Sequence, residues 1–348
     1  MSGKQYQAEK LMDFCKKIFQ SLGFPEEDAD VTARSLIRAE LEGAGSHGLS
    51  RLAVYTKRIK EGRIEAKPDI KMESHGSVLK VDGGNGLGQV VSHHTMENAI
   101  ALAKEQGMVG AFVRNSNHFG TAAYFCQMAC RSGMALIATT NSPSGIAPWN
   151  GKKAFFGTNP IAFGFPAKEE PPVIVDMSSS VVARGKIILA NKQEEQIPSG
   201  WAIDENGEET TDPAAALRGA VLPLGGAKGY ALAMAVEIMS AVLSEAAFGP
   251  HVNNLFKDED PPANVGHSFI LLNLEKWLDL DQYYARMEQF LQEVKNTPLA
   301  KGAEEISYPG ERRYRNYLKN REQGVLLSAE IQNELVEVGK AYGVPFPA

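Results

Sequence analysis

Cysteine is scarce: Cys15, Cys126 and Cys130 are the only three in 348 residues. An odd, sparse set excludes a disulfide framework and fits a reducing compartment. Cys126 and Cys130 are four apart on one expected helix face, but no nearby Cys or His completes the four ligands of a structural zinc. No metal site is expected, and the thiols are read as buried and inert. Basic residues form no block beyond the pairs Lys152-Lys153 and Arg312-Arg313, and the net charge is −6. That speaks against a nucleic-acid surface, which shows as a basic stripe. Long apolar runs are absent as well. Nothing approaches the ~18 residues of a membrane span, and Met1 to Lys17 is charged and amphipathic, unlike a signal peptide. A cytoplasmic protein with no membrane and no nucleic-acid partner is expected.

Nucleotide signatures also fail. Gly84-Asn85-Gly86-Leu87-Gly88 lies between an expected strand and an expected helix. Its third glycine comes one residue too early for G-x-G-x-x-G, and the helix is expected to begin only near Ser92. A Gly-rich turn is expected there, not a Rossmann phosphate loop. Gly225-Gly226-Ala227-Lys228 lacks the P-loop spacing, and no G-x-S-x-G marks a catalytic serine.

What is present is an ordinary globular balance, 43% apolar and 22% charged, which argues against overall disorder. The length calls for two domains, or for one large α/β domain with additions. Leu11, Cys15, Ile18, Phe19 and Leu22 repeat at helical spacing up to Gly23 and Pro25. Helices are expected over 26–41 and after Ser50. Strands are expected at 77–81, 109–113, 135–140, 161–166, 172–177 and 268–274, with helices at 92–107, 121–132 and 228–243, the last buried on most faces. The tail returns to helix, with Leu280, Tyr284, Met287, Leu291 and Val294 on one face and Ile331, Leu335 and Val338 on another. The expected fold is α/β (α+β): residues 73–296 form an α/β domain, and residues 1–72 with 297–348 form an all-α region built from both termini.

Six polar segments carry candidate chemistry. Gly45-Ser46-His47-Gly48-Leu49-Ser50-Arg51 joins two helices; its His sits where glycines admit a ligand, and Arg51 has the fork that grips a carboxylate. The alternative there is an ordinary turn. Asn115-Ser116-Asn117-His118-Phe119-Gly120 follows a strand, where α/β proteins place their sites, and His118 suits acid–base work near neutrality. The alternative is a polar loop with a capping Asn. Thr139–Ser142, Gly157–Pro160 and Asp176–Ser180 are loops that flank strands and suit phosphate or ribose. Lys228 opens a helix after Gly225-Gly226, a placement that makes sense if the cation meets an anion. His93 and His94 are read as surface residues, and His75, His251 and His267 as having no companions with ligand spacing.

In this order, Ser46-His47-Gly48 with Arg51, Asn115–Gly120, Gly157–Ala162, Asp176–Ser180, Ile197–Asp212, Leu222–Leu232 and Pro309-Gly310-Glu311 resemble the type 2 malate/L-lactate dehydrogenase family. The likeness spans nearly the whole chain. It implies a non-Rossmann dimer that uses NAD or NADP on a small 2-hydroxy or 2-oxo acid, malate first, with ureidoglycolate, lactate, sulfolactate and diketogulonate as alternatives. By position it implies His118 or His47 as the acid–base residue and Arg51, Ser46 and Asn117 against the substrate. Ser142, Asp176, Met177, Ser178, Lys228, Pro309, Gly310 and Glu311 fall at cofactor contacts. The chain departs from the family at Asn150, where a Gly is usual, and at Ala231. Two rivals stand beside this expectation: a catalytically inactive cofactor-binding protein, and a hydrolase or lyase that uses the two histidines without nicotinamide.

Overall fold

The computed structural model describes residues 3–255 and 261–347. Met1, Ser2, residues 256–260 and Ala348, which belong to the expected domains, lie outside the described residues.

A seven-stranded sheet forms the centre, in the order Lys71–His75, Val78–Asp82, Met108–Ser116, Val265–Asn273, Met134–Thr140, Ile161–Phe165, Val173–Met177. Only Val78–Asp82 and Met108–Ser116 pair in parallel, through the crossover helix Gly88–Gln106; every other pair is antiparallel. Val109, Ala111 and Val113 alternate inward from their strand and pack beneath Val91, Met96, Ala99 and Ala103 of that helix. Helix Ala122–Arg131 covers the same face through Ala123, Cys126 and Ala129.

A separate apolar cluster joins the two ends of the chain. Leu11, Phe14, Cys15, Ile18 and Phe19 of Ala8–Ser21 meet Leu36 and Ile37 of Glu26–Leu41, Tyr55 of Leu52–Lys60 and Leu335 of Ala329–Tyr342. Strand Lys4–Tyr6 pairs antiparallel with Val325–Leu327 and ties the termini together. A small three-stranded sheet around Ala202–Ile203 has its own cluster of Val182, Ile187, Ile197 and Ala202; the periodicity gives no sign of it.

Three expectations need correction. The crossover helix begins at Gly88, not near Ser92, because Gly84 and Asn85 turn the chain in the left-handed region at φ 55° and 57° and Gly88 packs directly on the next loop. A Cβ on Gly88 would stand 2.1 Å from the carbonyl oxygen of Asn117, so only glycine fits. His93 and His94 therefore lie inside this helix: His93 is buried, and His94 bonds Asp28 at 2.7 Å. The helix expected at 228–243 runs Ala227–Glu237 and continues as a π turn over Ile238–Val242. It is not buried on most faces. One side is buried, Ala233 against Ile146 and Phe156 and Ser240 bonded to Thr139 of the sheet, while Met234, Ile238 and Val242 stay 38–56% exposed.

Candidate active site

The pairing directions put the carboxyl ends of Val78–Asp82, Met108–Ser116, Met134–Thr140 and Val173–Met177 at one end of the sheet, because the first two are parallel and the other two are related to them through antiparallel neighbours. Ligands of open α/β sheets bind at that end. Asn115, at φ 52°, and a register shift opposite Val265–His267 bend the strand end there. Asn115 and Ser116 thus belong to the strand, and the loop starts at Asn117.

Asn117 is fully buried. Its amide donates to Gly86 O at 2.9 Å and to Asn85 Oδ1 at 3.1 Å, so its Nδ2 holds the preceding glycine turn, while its Oδ1 has no partner among the described residues. His118 follows, half-buried, and its Nδ1 hydrogen-bonds the hydroxyl of Tyr55. Phe119 turns inward and stacks on His267, ring centroids 4.6 Å apart. His267 is held by two hydroxyls: Nδ1 meets Thr140 Oγ1 at 2.8 Å and Nε2 meets Ser116 Oγ at 2.9 Å. Burial lowers its pKa to about 3, so it is a neutral brace between two strand ends.

The helical part supplies the other half. His47 ends a 3-10 turn, Gly45–His47, and Arg51 ends the next, Leu49–Arg51. The His47 ring stacks on His118 with centroids 5.5 Å apart, and its Nδ1 lies 2.9 Å from Ser46 Oγ. Arg51 Nε donates to Ser46 O at 2.6 Å. Tyr55 stands one helical turn after Arg51, on the same face. Glu40 lies under this loop, accepting Leu49 N–H at 2.7 Å, and a Cβ on Gly48 would collide with its carboxylate at 2.3 Å. Burial raises the Glu40 carboxyl to about 7. Ser46, His47, Arg51, Tyr55 and His118 thus form one cluster.

Two imidazoles and a guanidinium crowd together, and this sets their protonation. Burial lowers His118 well below 6.5, helped by His47, Arg51 and His267. Burial, then Arg51 and Arg313, lower His47 to about 4. Both rings are neutral at pH 7 and ready to accept a proton. The positive charge facing them comes from the guanidiniums of Arg51 and Arg313, as an anion site needs.

Of the expected cofactor positions, Ser142, Met177, Ser178 and Lys228 lie on loops at the same sheet end, whereas Pro309 and Gly310 pack at the amino end of Val173–Met177. Ser142 Oγ accepts Thr158 N–H at 3.0 Å, Ser179 N–H donates to Thr158 O at 2.8 Å, and Leu224 N–H donates to Ser179 O at 2.9 Å. These bonds knit the loops at 142, 158, 178–180 and 223–226 into one surface. Gly226, at φ 70°, opens the helix that carries Lys228, an exposed cation with no hydrogen bond or ion pair among the described residues. Backbone N–H groups at a glycine turn beside a lone ammonium fit a pyrophosphate. Met177 is exposed and Ser178 half-buried beside them.

Asp176 is braced from within. Its carboxylate accepts Ala123 N–H at 3.1 Å, capping helix Ala122–Arg131, and pairs with Arg313 at 3.2 Å. Pro309 O accepts Ile174 N–H at 3.0 Å, and Gly310, at φ 102°, lies against Pro172 and Ile174, where a Cβ would stand 2.9 Å from backbone. Glu311 is buried and paired with Lys295 and Arg315, each at 3.0 Å. Asn150 sits at φ 65°, in the left-handed region that asparagine tolerates better than most side chains. Cys126 and Cys130 lie in the helix, with burial pushing both thiols up, Cys130 to about 12. Among the described residues no group of three or more His, Cys, Asp or Glu is placed to hold a metal ion, and no helix is long and apolar enough to cross a membrane.

Comparison with known proteins agrees with this geometry. A family model described as malate/L-lactate dehydrogenase matches residues 6–336. A (2R)-3-sulfolactate dehydrogenase (NADP(+)) of Chromohalobacter salexigens is 39% identical over 325 residues, 93% of this chain and 94% of its own length. The crystal structure of malate dehydrogenase from Entamoeba histolytica superposes with a TM-score of 0.94 at 31% identity, covering 100% of each chain. Sulfolactate dehydrogenase from Methanocaldococcus jannaschii gives 0.92 at 37% identity, covering 99% of this chain and 98% of its own. The family that the motifs from Ser46 to Glu311 resemble is the family these matches identify, and the chain belongs to it, a dehydrogenase of the malate/L-lactate dehydrogenase family.

Proposed function

We propose that the protein interconverts a small 2-hydroxy acid and its 2-oxo acid with NAD or NADP, malate being the first candidate substrate and sulfolactate, lactate, ureidoglycolate and diketogulonate the alternatives. The observation that carries this is the meeting of His47 and His118, 5.5 Å apart, with Arg51 at the carboxyl end of the sheet, beside a rim suited to a pyrophosphate. The names of the relatives support the substrate class. A nicotinamide cofactor held at that rim would supply the hydride chemistry. Arg51 grips the substrate carboxylate, Ser46 and Asn117 line the loops around it, and His118 exchanges the proton of the C2 oxygen. His47, neutral and stacked on His118, donates a hydrogen bond toward the same oxygen. Ser142, Asp176, Met177, Ser178, Lys228, Pro309, Gly310 and Glu311 hold the cofactor.

The test is a screen of oxaloacetate, pyruvate, sulfopyruvate, oxalurate and diketogulonate with NADH and NADPH, read at the reduced-nicotinamide absorbance. Turnover of at least one is expected; none, with cofactor bound, favours the inactive binding protein, and no cofactor binding favours the hydrolase or lyase. For the best substrate, Arg51→Leu raises KM about tenfold to a hundredfold, the worth of hydrogen bonds to a charged group. An unchanged KM removes Arg51 from the carboxylate.

We further propose a cytoplasmic homodimer. Met234, Ile238, Val242 and Leu243 expose an apolar stripe of 38–56% on one helix, more than a lone surface needs. Ile238→Glu is expected to turn a sedimenting dimer into monomer; an unchanged sedimentation coefficient rejects this face. The division at residues 72 and 297 is proposed on the two separate apolar clusters.

A further inference from the structure

His118 exchanges the substrate proton only through a nitrogen that the protein leaves open. Nδ1 is taken by Tyr55, so Nε2 is the working atom. A neutral ring accepts a proton at Nε2 only if its own hydrogen sits on Nδ1. Nδ1–H then donates to the Tyr55 oxygen, and the Tyr55 O–H needs an acceptor elsewhere.

Tyr55 is completely buried, and burial raises its pKa to about 12, so it keeps its proton through the working pH range. Its other polar partner is the amide of Gln89, also fully buried, whose Nε2 lies 3.1 Å from the hydroxyl. As placed, that N–H donates to Tyr55, and Tyr55 donates to Nδ1. This forces the hydrogen onto Nε2 and denies the ring its base. The other end of the amide, Gln89 Oε1, is buried with no hydrogen-bond partner. The O and N ends of an amide are assigned from their network. A half-turn brings Oε1 onto the Tyr55 hydroxyl and reverses every bond in the row. One amide atom faces away from Tyr55 in either arrangement, so a small bias decides between them.

We propose that in the working enzyme Gln89 presents Oε1 to Tyr55. The row then runs from His118 Nδ1–H to the Tyr55 oxygen and from Tyr55 O–H to Gln89 Oε1, which fixes the imidazole with an open, proton-accepting Nε2. Tyr55 and Gln89 are positioning residues that act through His118, and the inference rests on the proposed role of His118. The protons balance. On oxidation the C2 hydroxyl proton moves to Nε2 as hydride leaves C2 for the nicotinamide, and the ring becomes imidazolium with Nδ1–H still on Tyr55. Reduction returns the same proton. Tyr55 and Gln89 neither gain nor lose one.

The tautomer is read directly by ¹⁵N–¹H correlation on histidine-labelled full-length protein, with the His118 signal identified by its loss in His118→Gln. The wild type is expected to carry the hydrogen on Nδ1. Tyr55→Phe and Gln89→Leu are expected to move it to Nε2, the form a free imidazole prefers, and to lower kcat about 10²-fold at a KM and an NADH affinity within about twofold of the wild type. Gln89→Glu, which keeps an oxygen toward Tyr55, restores the Nδ1–H signal and most of kcat; should Gln89→Leu not fold, Gln89→Met takes its place. A wild-type signal with the hydrogen on Nε2, or a Gln89→Leu signal identical to wild type, overturns the inference. Full turnover in His118→Ala instead overturns the acid–base role, so the two failures are distinguishable.

Discussion

His118→Ala is expected to lower kcat for 2-oxo acid reduction by about 10²–10⁴, the usual worth of a positioned acid–base group, at cofactor affinity within about twofold of the wild type. Its ring partners, Tyr55 and His47, belong to the helical part and not to the cofactor rim, so its removal leaves the loops of that rim in place. Its protonation gives a second reading of the same role. Burial, His47 and Arg51 all disfavour imidazolium in the empty site, which places the His118 pKa well below 6.5. A lowered pKa means the neutral base is present throughout the neutral range and is lost only as pH falls through that low value. The kcat/KM profile for hydroxy-acid oxidation should therefore stay flat from pH 8 to about 6.5 and fall on the acid side alone. Reduction needs the imidazolium. The incoming carboxylate supplies it by cancelling the charge of Arg51, which lifts the ring's affinity for a proton in the complex. His47→Ala should cost less, because its Nδ1 rests on the exposed Ser46 rather than on a buried hydroxyl. If His47→Ala abolishes turnover and His118→Ala does not, the roles are reversed.

Local pattern made most of this fold legible. Strand 108–116 shows its period of two in Val109, Ala111 and Val113, and helix 26–41 shows its apolar face, because burial on one side imposes both. The two histidine loops stood out for a related reason: rows of polar side chains beside glycine at element ends have no packing purpose. What stayed hidden was every relation across the sheet. His267 looked solitary because its partners Ser116 and Thr140 are 151 and 127 residues away. They meet only because Val265–Asn273 inserts between two strands from the middle of the chain, an order no periodicity encodes. Tyr55 lies in the helix expected after Ser50 and carries no signal of its own in the sequence. Its hydroxyl becomes functional through Gln89 and His118, which the chain brings to it from other elements. The exposed stripe on 227–243 misled in the opposite sense, since a half-exposed apolar helix and a buried one read alike in sequence.

Glu42→Ala is expected to cost about 3 kcal/mol of stability, at the lower end of what removal of one partner from a buried ion pair costs. The Glu42 side chain is 1% exposed and accepts from Arg313 at 3.1 Å, from Gln127 at 2.6 Å and from Arg38 Nε. Alanine leaves two guanidiniums with the single carboxylate of Asp176 between them, and Gln127 without its acceptor. The guanidinium side chains are 20–21% exposed, so water relieves part of the repulsion, which is why the lower end applies. A loss of that size lowers the melting temperature by about 4 °C in a chain of this length. Glu42→Gln should fall less, since its amide oxygen still accepts one donor. Function follows from the same bonds. Arg313 also holds Asp176, which caps the helix that begins four residues after His118. Once Glu42 is gone, Arg313 is free to shift, and with it the strand end that carries Met177 and Ser178. NADH or NADPH affinity is therefore expected to weaken in Glu42→Ala at temperatures where the protein is still folded. A melt within 1 °C of the wild type would show that the three donors find other partners. An unchanged cofactor affinity in a destabilised variant would confine Glu42 to holding the helical region on the sheet.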